Sequence, residues 1–106
     1  MLGMHGTYEA NMAMNQADLI ICMGARFDDR VTGRLDAFAP NSEKIHVDID
    51  RSSINKVVAV ELPIVGDCGA VMRQMIDEWG SRKAQDLSAW MARIDEWRAR
   101  KSLSFP

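Results

Sequence analysis

Apolar positions along the chain fall into two alternating kinds of pattern. Short runs rich in β-branched residues are separated by stretches in which apolar residues recur at helical spacing, which predicts an α/β domain with a mainly parallel sheet. Three runs read as strands. Asp18-Leu-Ile-Ile-Cys-Met-Gly24 is almost continuously apolar and closes on glycine, as expected of a strand covered on both faces. Lys44-Ile-His-Val-Asp-Ile-Asp50 alternates Ile45, Val47 and Ile49 with polar neighbours. Ala59 to Val65 is the third, with Pro63 moving it toward a sheet edge because proline has no N–H for a ladder.

Helical spacing lies between and after these runs. Thr7 to Gln16 carries Met12, Ala13 and Met14 among good helix formers, and Thr7 follows Gly6 as an N-cap. The stretch from Val31 to Phe38 is short and bounded by Gly33 and Pro40, so a turn or one to two helical turns is expected. Ser52 or Ser53 would cap a single turn through Lys56. Asp67 reads as the N-cap of an amphipathic helix whose stripe of Val71, Met72, Met75, Ile76 and Trp79 is expected to be core. Gly80 breaks that pattern, and Leu87, Trp90, Met91, Ile94 and Trp97 form a second stripe in need of cover. The pattern opens on a helix with no strand before it, which predicts half of a doubly wound sheet and a piece of a larger protein.

The 106 residues hold 13 Lys+Arg against 15 Asp+Glu, a formal net charge of -2. Phosphate backbones need clustered cations to displace counterions, so nucleic acid is not an expected partner. The longest apolar run, Leu19 to Met23, has strand length and is far from a membrane span. Cys22 and Cys68 lack CxxC spacing and are expected as small buried hydrophobes in a reducing, cytoplasmic compartment. His5 and His46 have no metal-ligand partners at a recognisable spacing, so no metal site is expected.

The candidate chemistry sits at the strand ends. Gly24-Ala-Arg-Phe-Asp-Asp-Arg-Val-Thr-Gly33 follows the first strand, where open α/β sheets bind ligands, and Arg26 and Arg30 would make charge-assisted bonds to a phosphate. The same residues also read as a surface loop in which the arginines pair with Asp28 and Asp29. Asp48-Ile-Asp50 ends the second strand where an acid often accepts from ribose hydroxyls, with Asp50 capping the following turn as the alternative. Gly66-Asp67 ends the third. Three such ends favour one shared ligand edge over any single one.

The string MLGMHGTYEANMAMNQADLIICMGARFDDRVTG, followed by HVDID, INK and PIVGD, closely resembles the acetohydroxyacid synthase (acetolactate synthase) branch of the thiamine-diphosphate enzymes, from Met1 to about Trp79. The resemblance implies the second half, residues 1–79, of a central six-stranded, doubly wound (Rossmann-like) FAD-binding domain, with 80–106 a helical linker toward the diphosphate-binding domain. It further implies that Met4 and His5 lie beside the flavin. By the same likeness Gly24, Ala25, Arg26, Asp28, Arg30 and Val31 line its phosphates and ribityl chain. Asp48 and Ile49 would contact the adenosine side, and Asp67 and Cys68 would close the pocket. Arg51 departs from the proline that many relatives have after HVDID.

The whole enzymes of this branch decarboxylate pyruvate on thiamine diphosphate and Mg²⁺ and condense the two-carbon unit with a second 2-oxo acid, in branched-chain amino-acid biosynthesis. They are homo-oligomers with a regulatory small subunit, and their flavin is largely structural. The glutamate that activates the thiazolium and the GDG-type motif for Mg²⁺ and diphosphate are absent from these 106 residues, so no catalysis is expected of them alone. A nucleotide-binding or protein-interaction module of the same fold, with Trp90 and Trp97 as its surface, is the alternative.

Overall fold

A computed structural model of the chain describes residues 2–25, 39–56 and 58–101. Helix α1 (Tyr8–Gln16) leads into strand β1 (Leu19–Met23), followed by β2 (Glu43–Asp48), a 3-10 turn (Arg51–Ser53) and β3 (Leu62–Val65). Helices α2 (Cys68–Trp79) and α3 (Ser88–Arg98) complete the described order. The strands form a parallel sheet in the order β1-β2-β3, an α/β arrangement of half a doubly wound kind. Ile21 registers with Ile45 and Cys22 with His46, while His46 in turn registers with Pro63. Pro63 therefore lies on the end strand of the described sheet, where a residue without an N–H is tolerated.

Local chemistry sets the helix starts. The Thr7 hydroxyl accepts from Ala10 N–H at 3.2 Å, and the Asp67 carboxylate accepts from Ala70 N–H at 2.9 Å, so both expected N-caps are in place. At the turn after β2 the structure adopts the Asp50 reading rather than a serine cap. Asp50 caps it, its Oδ1 accepting from Ser52 N–H at 3.0 Å and from Ser52 Oγ at 2.8 Å. A carboxylate holding two donors outcompetes a hydroxyl for the same position. These bonds hold the Asp50 carboxyl below its ordinary pKa.

β3 starts three residues later than the sequence pattern suggests. Val60 N–H is taken by the Asn55 side chain at 2.8 Å rather than by a strand, and Asn55 sits at φ 60, a conformation its short polar side chain tolerates.

β2 is the middle strand, and burial follows from that place rather than from hydropathy. Val47 is fully buried, yet Lys44, His46 and Asp48 on the opposite face are buried as well. Lys44 Nζ donates to the carbonyls of Ala39 and Ser42, each at 3.2 Å, which is how a buried ammonium is accommodated. Ala39, fully buried, is the centre of a small cluster with Met14, Ile20, Cys22, Val58 and Val60 around it.

The α2 stripe is not core among the described residues. Val71 is buried, whereas Met72, Met75, Ile76 and Trp79 are exposed, Ile76 to 69%. The first turn of α2 lies close to the end of β3, its Val71 Cγ2 being 3.4 Å from where a Cβ on Gly66 would stand. Gly80 then ends the helix at φ +57. The second stripe finds partial cover: α3 packs along α1, Trp90 and Trp97 meet edge to face at 5.9 Å, and Arg100 stacks on Tyr8 at 4.3 Å. Among the described residues no helix is long and apolar enough to cross a membrane.

Candidate functional site

Parallel strands point their carboxyl ends the same way, so the residues that follow β1, β2 and β3 share one edge. Gly24 leaves β1 with φ +72, and its N–H donates to Val47 O at 2.8 Å. A Cβ at this position would stand 3.3 Å from Cys68 Sγ, so the backbone of one strand end and the first residue of α2 are already in close approach. Gly66 N–H donates to Asp48 O at 3.0 Å, tying the third strand end to the second. Gly24, Asp48 and Cys68 thus come together along one line.

Ala25 extends this line outward. Its carbonyl accepts from Cys22 Sγ–H at 3.2 Å and from His46 Nε2–H at 2.9 Å. Cys22 and Cys68 are half-buried free thiols rather than fully buried ones. Burial is the main reason that the Cys22 thiol has a raised pKa, with Asp48 and Cys68 nearby adding to it.

The two halves of the Asp48-Ile49 pair face different surroundings. Asp48 is buried, its Oδ1 accepting from Asp50 N–H at 2.9 Å and its Oδ2 lying 3.6 Å from His46 Nε2. The carboxylate therefore shapes the edge from within. Ile49 is 74% exposed and is the side chain that the second strand end presents outward. Asp67 spends its carboxylate on the α2 cap, and Gly69 leaves room for it, since a Cβ there would be 3.2 Å from Asp67 Oδ2.

Met4 and His5 occupy the turn before α1, both exposed. Gly6 N–H closes that turn onto Gly3 O at 2.9 Å, and Asn11 staples it to the helix by bonding both Gly3 N–H and Gly3 O at 2.8 Å. Leu2, one residue before Gly3, lines an apolar groove of about 560 Å³ between α1 and β1 that runs past Met14 and Ile21 to Met23 and Ala25. Leu2 and Ala25 thus line one groove, and Met4 and His5 are not among its lining residues. Arg26, Asp28, Arg30 and Val31 lie outside the described residues, as does the expected turn from Val31 to Phe38.

Sequence reasoning passed over His46 as a partner of this edge. The signal was its place two residues before Asp48 on the middle strand, level with the cysteine that precedes Gly24. Among the described residues no group of three or more His, Cys, Asp or Glu side chains is arranged to hold a metal ion.

Comparison with known proteins adds a family. Residues 1–75 match the family model described as thiamine pyrophosphate enzyme, central domain. The chain is 46% identical over 109 residues to the acetolactate synthase isozyme 3 large subunit of Escherichia coli K12, covering 99% of the chain and 19% of that relative. It is 47% identical over 108 residues to the acetolactate synthase large subunit of Haemophilus influenzae, and 44% identical over 107 residues to that of Parasynechococcus marenigrum. The chain spans 19% of the first two relatives and 17% of the third.

Proposed function

The chain belongs to the thiamine pyrophosphate enzyme central-domain family, and from that premise we propose that it is the FAD-holding part of an acetolactate synthase large subunit. The observation that carries this reading is the convergence of Gly24, Ala25, Asp48 and Cys68 at the carboxyl edge of a three-stranded parallel sheet. The residues present fit such a group: Gly24 leaves the strand at φ +72 with no Cβ, and its bare backbone is the kind of surface a nucleotide approaches closely.

In this reading Gly24, Ala25, Arg26, Asp28, Arg30 and Val31 follow the phosphates and ribityl chain, Arg26 and Arg30 supplying charge-assisted bonds. Ile49 offers apolar contact to the adenosine side while Asp48 fixes the strand end beneath it. Asp67 and Cys68 close the edge, and Met4 and His5 face the flavin from the turn before α1. Bound here, FAD serves as a structural element of the domain. Residues 1–79 form the C-terminal half of the central domain and 80–106 lead toward the diphosphate-binding domain.

Decarboxylation of pyruvate and condensation with a second 2-oxo acid belong, on this proposal, to the whole cytoplasmic subunit with thiamine diphosphate and Mg²⁺, its homo-oligomeric partners and its regulatory small subunit. The 106 residues alone are catalytically silent. Calorimetric titration with FAD, beside Arg26→Ala and with NAD as control, tests the reading. Saturable FAD binding weakened about tenfold by the substitution supports it. A folded chain that takes up FAD no better than NAD overturns it.

A further inference from the structure

The imidazole of His46 is 1% exposed on the middle strand, and nothing in the flavin reading so far gives it work. Burying an imidazole in a strand that Val or Ile would fill costs desolvation, so its polar contacts need a reason. Nε2 lies 2.9 Å from Ala25 O. A carbonyl oxygen only accepts, so Nε2 is the donor in this contact. Cys22 Sγ–H donates to the same oxygen at 3.2 Å, and Asp48 Oδ2, at 3.6 Å from Nε2, is close enough to favour the donating ring by its charge.

Position gives this contact its meaning. Gly24 N–H makes a bond to Val47 O, and Ala25 is the next residue, where the chain departs from the sheet. Its carbonyl is held by side chains from β1 and β2. A peptide unit is planar, so holding one carbonyl sets the heading with which the chain leaves Ala25.

We propose that His46 is a positioning residue of the ligand edge: through Ala25 it aims the backbone that leaves β1, and FAD affinity depends on that aim although the ring itself does not touch the cofactor. This rests on the flavin reading. It assigns the histidine of the HVDID string a role in ligand geometry, with Asp48 as its electrostatic support.

The test is an FAD titration of the chain carrying His46, His46→Leu and His46→Gln, with circular dichroism to establish folding and the ¹³C shift of the Ala25 carbonyl as a second readout. The Gln side-chain amide reaches where Nε2 stands and donates; Leu fills similar space and does not. The expected result is about tenfold weaker binding and a moved Ala25 carbonyl shift in His46→Leu, with both largely restored in His46→Gln. Should His46→Leu fail to fold, His46→Asn, whose amide stops short of Ala25, takes its place against His46→Gln. Binding that survives loss of the donor overturns this inference and leaves the flavin reading standing. Weak binding that Gln does not restore also overturns it, by reducing His46 to packing. No FAD binding by the unsubstituted chain removes the flavin reading and this inference together.

Discussion

Glu61 and Lys44 hold each other twice: Lys44 N–H donates to the Glu61 carboxylate at 2.6 Å, and Glu61 N–H donates to Lys44 O at 3.1 Å. A side chain from the residue before β3 thus completes the pairing of β2 at the point where the two strands first meet. The Lys44 amide is the main reason that the Glu61 carboxyl titrates below the ordinary glutamate range.

That depressed pKa fixes a pH dependence. The stabilising contribution of Glu61 is fully present above the pKa of an unfolded glutamate and disappears as pH falls through the lower folded value. Urea denaturation followed from pH 6 downward should show stability declining in acid, and Glu61→Gln should flatten part of that decline. An unchanged acid limb in the variant would remove Glu61 from the account.

Gly24→Ala should destabilise the chain by about 1–2 kcal/mol, since a left-handed φ penalises any Cβ and this one would also press on Cys68 Sγ. Cys68→Ala in the same background relieves the contact but not the backbone, so chemical denaturation should show only partial recovery. Full recovery would mean that crowding alone requires the glycine.

Asn11→Ala removes two hydrogen bonds to Gly3 and should cost about 1–2 kcal/mol in all. Its local effect is the sharper test. Cleavage by chymotrypsin near Leu2 and Met4 should accelerate well beyond what the change in global stability explains, because the turn that holds Met4 and His5 loses its staple.

Cys22 should alkylate with iodoacetamide at pH 8 several-fold more slowly than the same thiol in urea, since burial raises its pKa and less thiolate is available. Equal rates in buffer and urea would contradict the burial on which the Ala25 contact depends.

How far the sequence determined these features depends on the range over which each interaction acts. Thr7 and Asp67 were legible as caps because a cap bonds a residue three positions away. The three parallel strands were legible because each carries its own apolar run. The burial of Lys44, His46 and Asp48 was not, because it comes from β2 lying between two neighbours, a fact of strand order that no local pattern contains. The α2 stripe misled for the same reason: helical spacing marks a face that can be buried, and of this stripe only Val71 is buried among the described residues. At the candidate site, Gly24 and Asp48 announced themselves by residue type. The His46–Ala25 contact spans 21 residues and required the register of β1 against β2.

The N–H groups of Gly24 and Gly66, the residues at which two strands leave the sheet, are both spent on carbonyls of β2. Amide protons in such turns ordinarily exchange with solvent as fast as any loop. Here neither can exchange until its strand end lifts from β2, so deuterium uptake at the two glycines should keep step with Val47 and Ile45 rather than with the turns beyond them. The candidate ligand edge is therefore expected to open with the sheet itself, and to stay assembled for as long as the strands do.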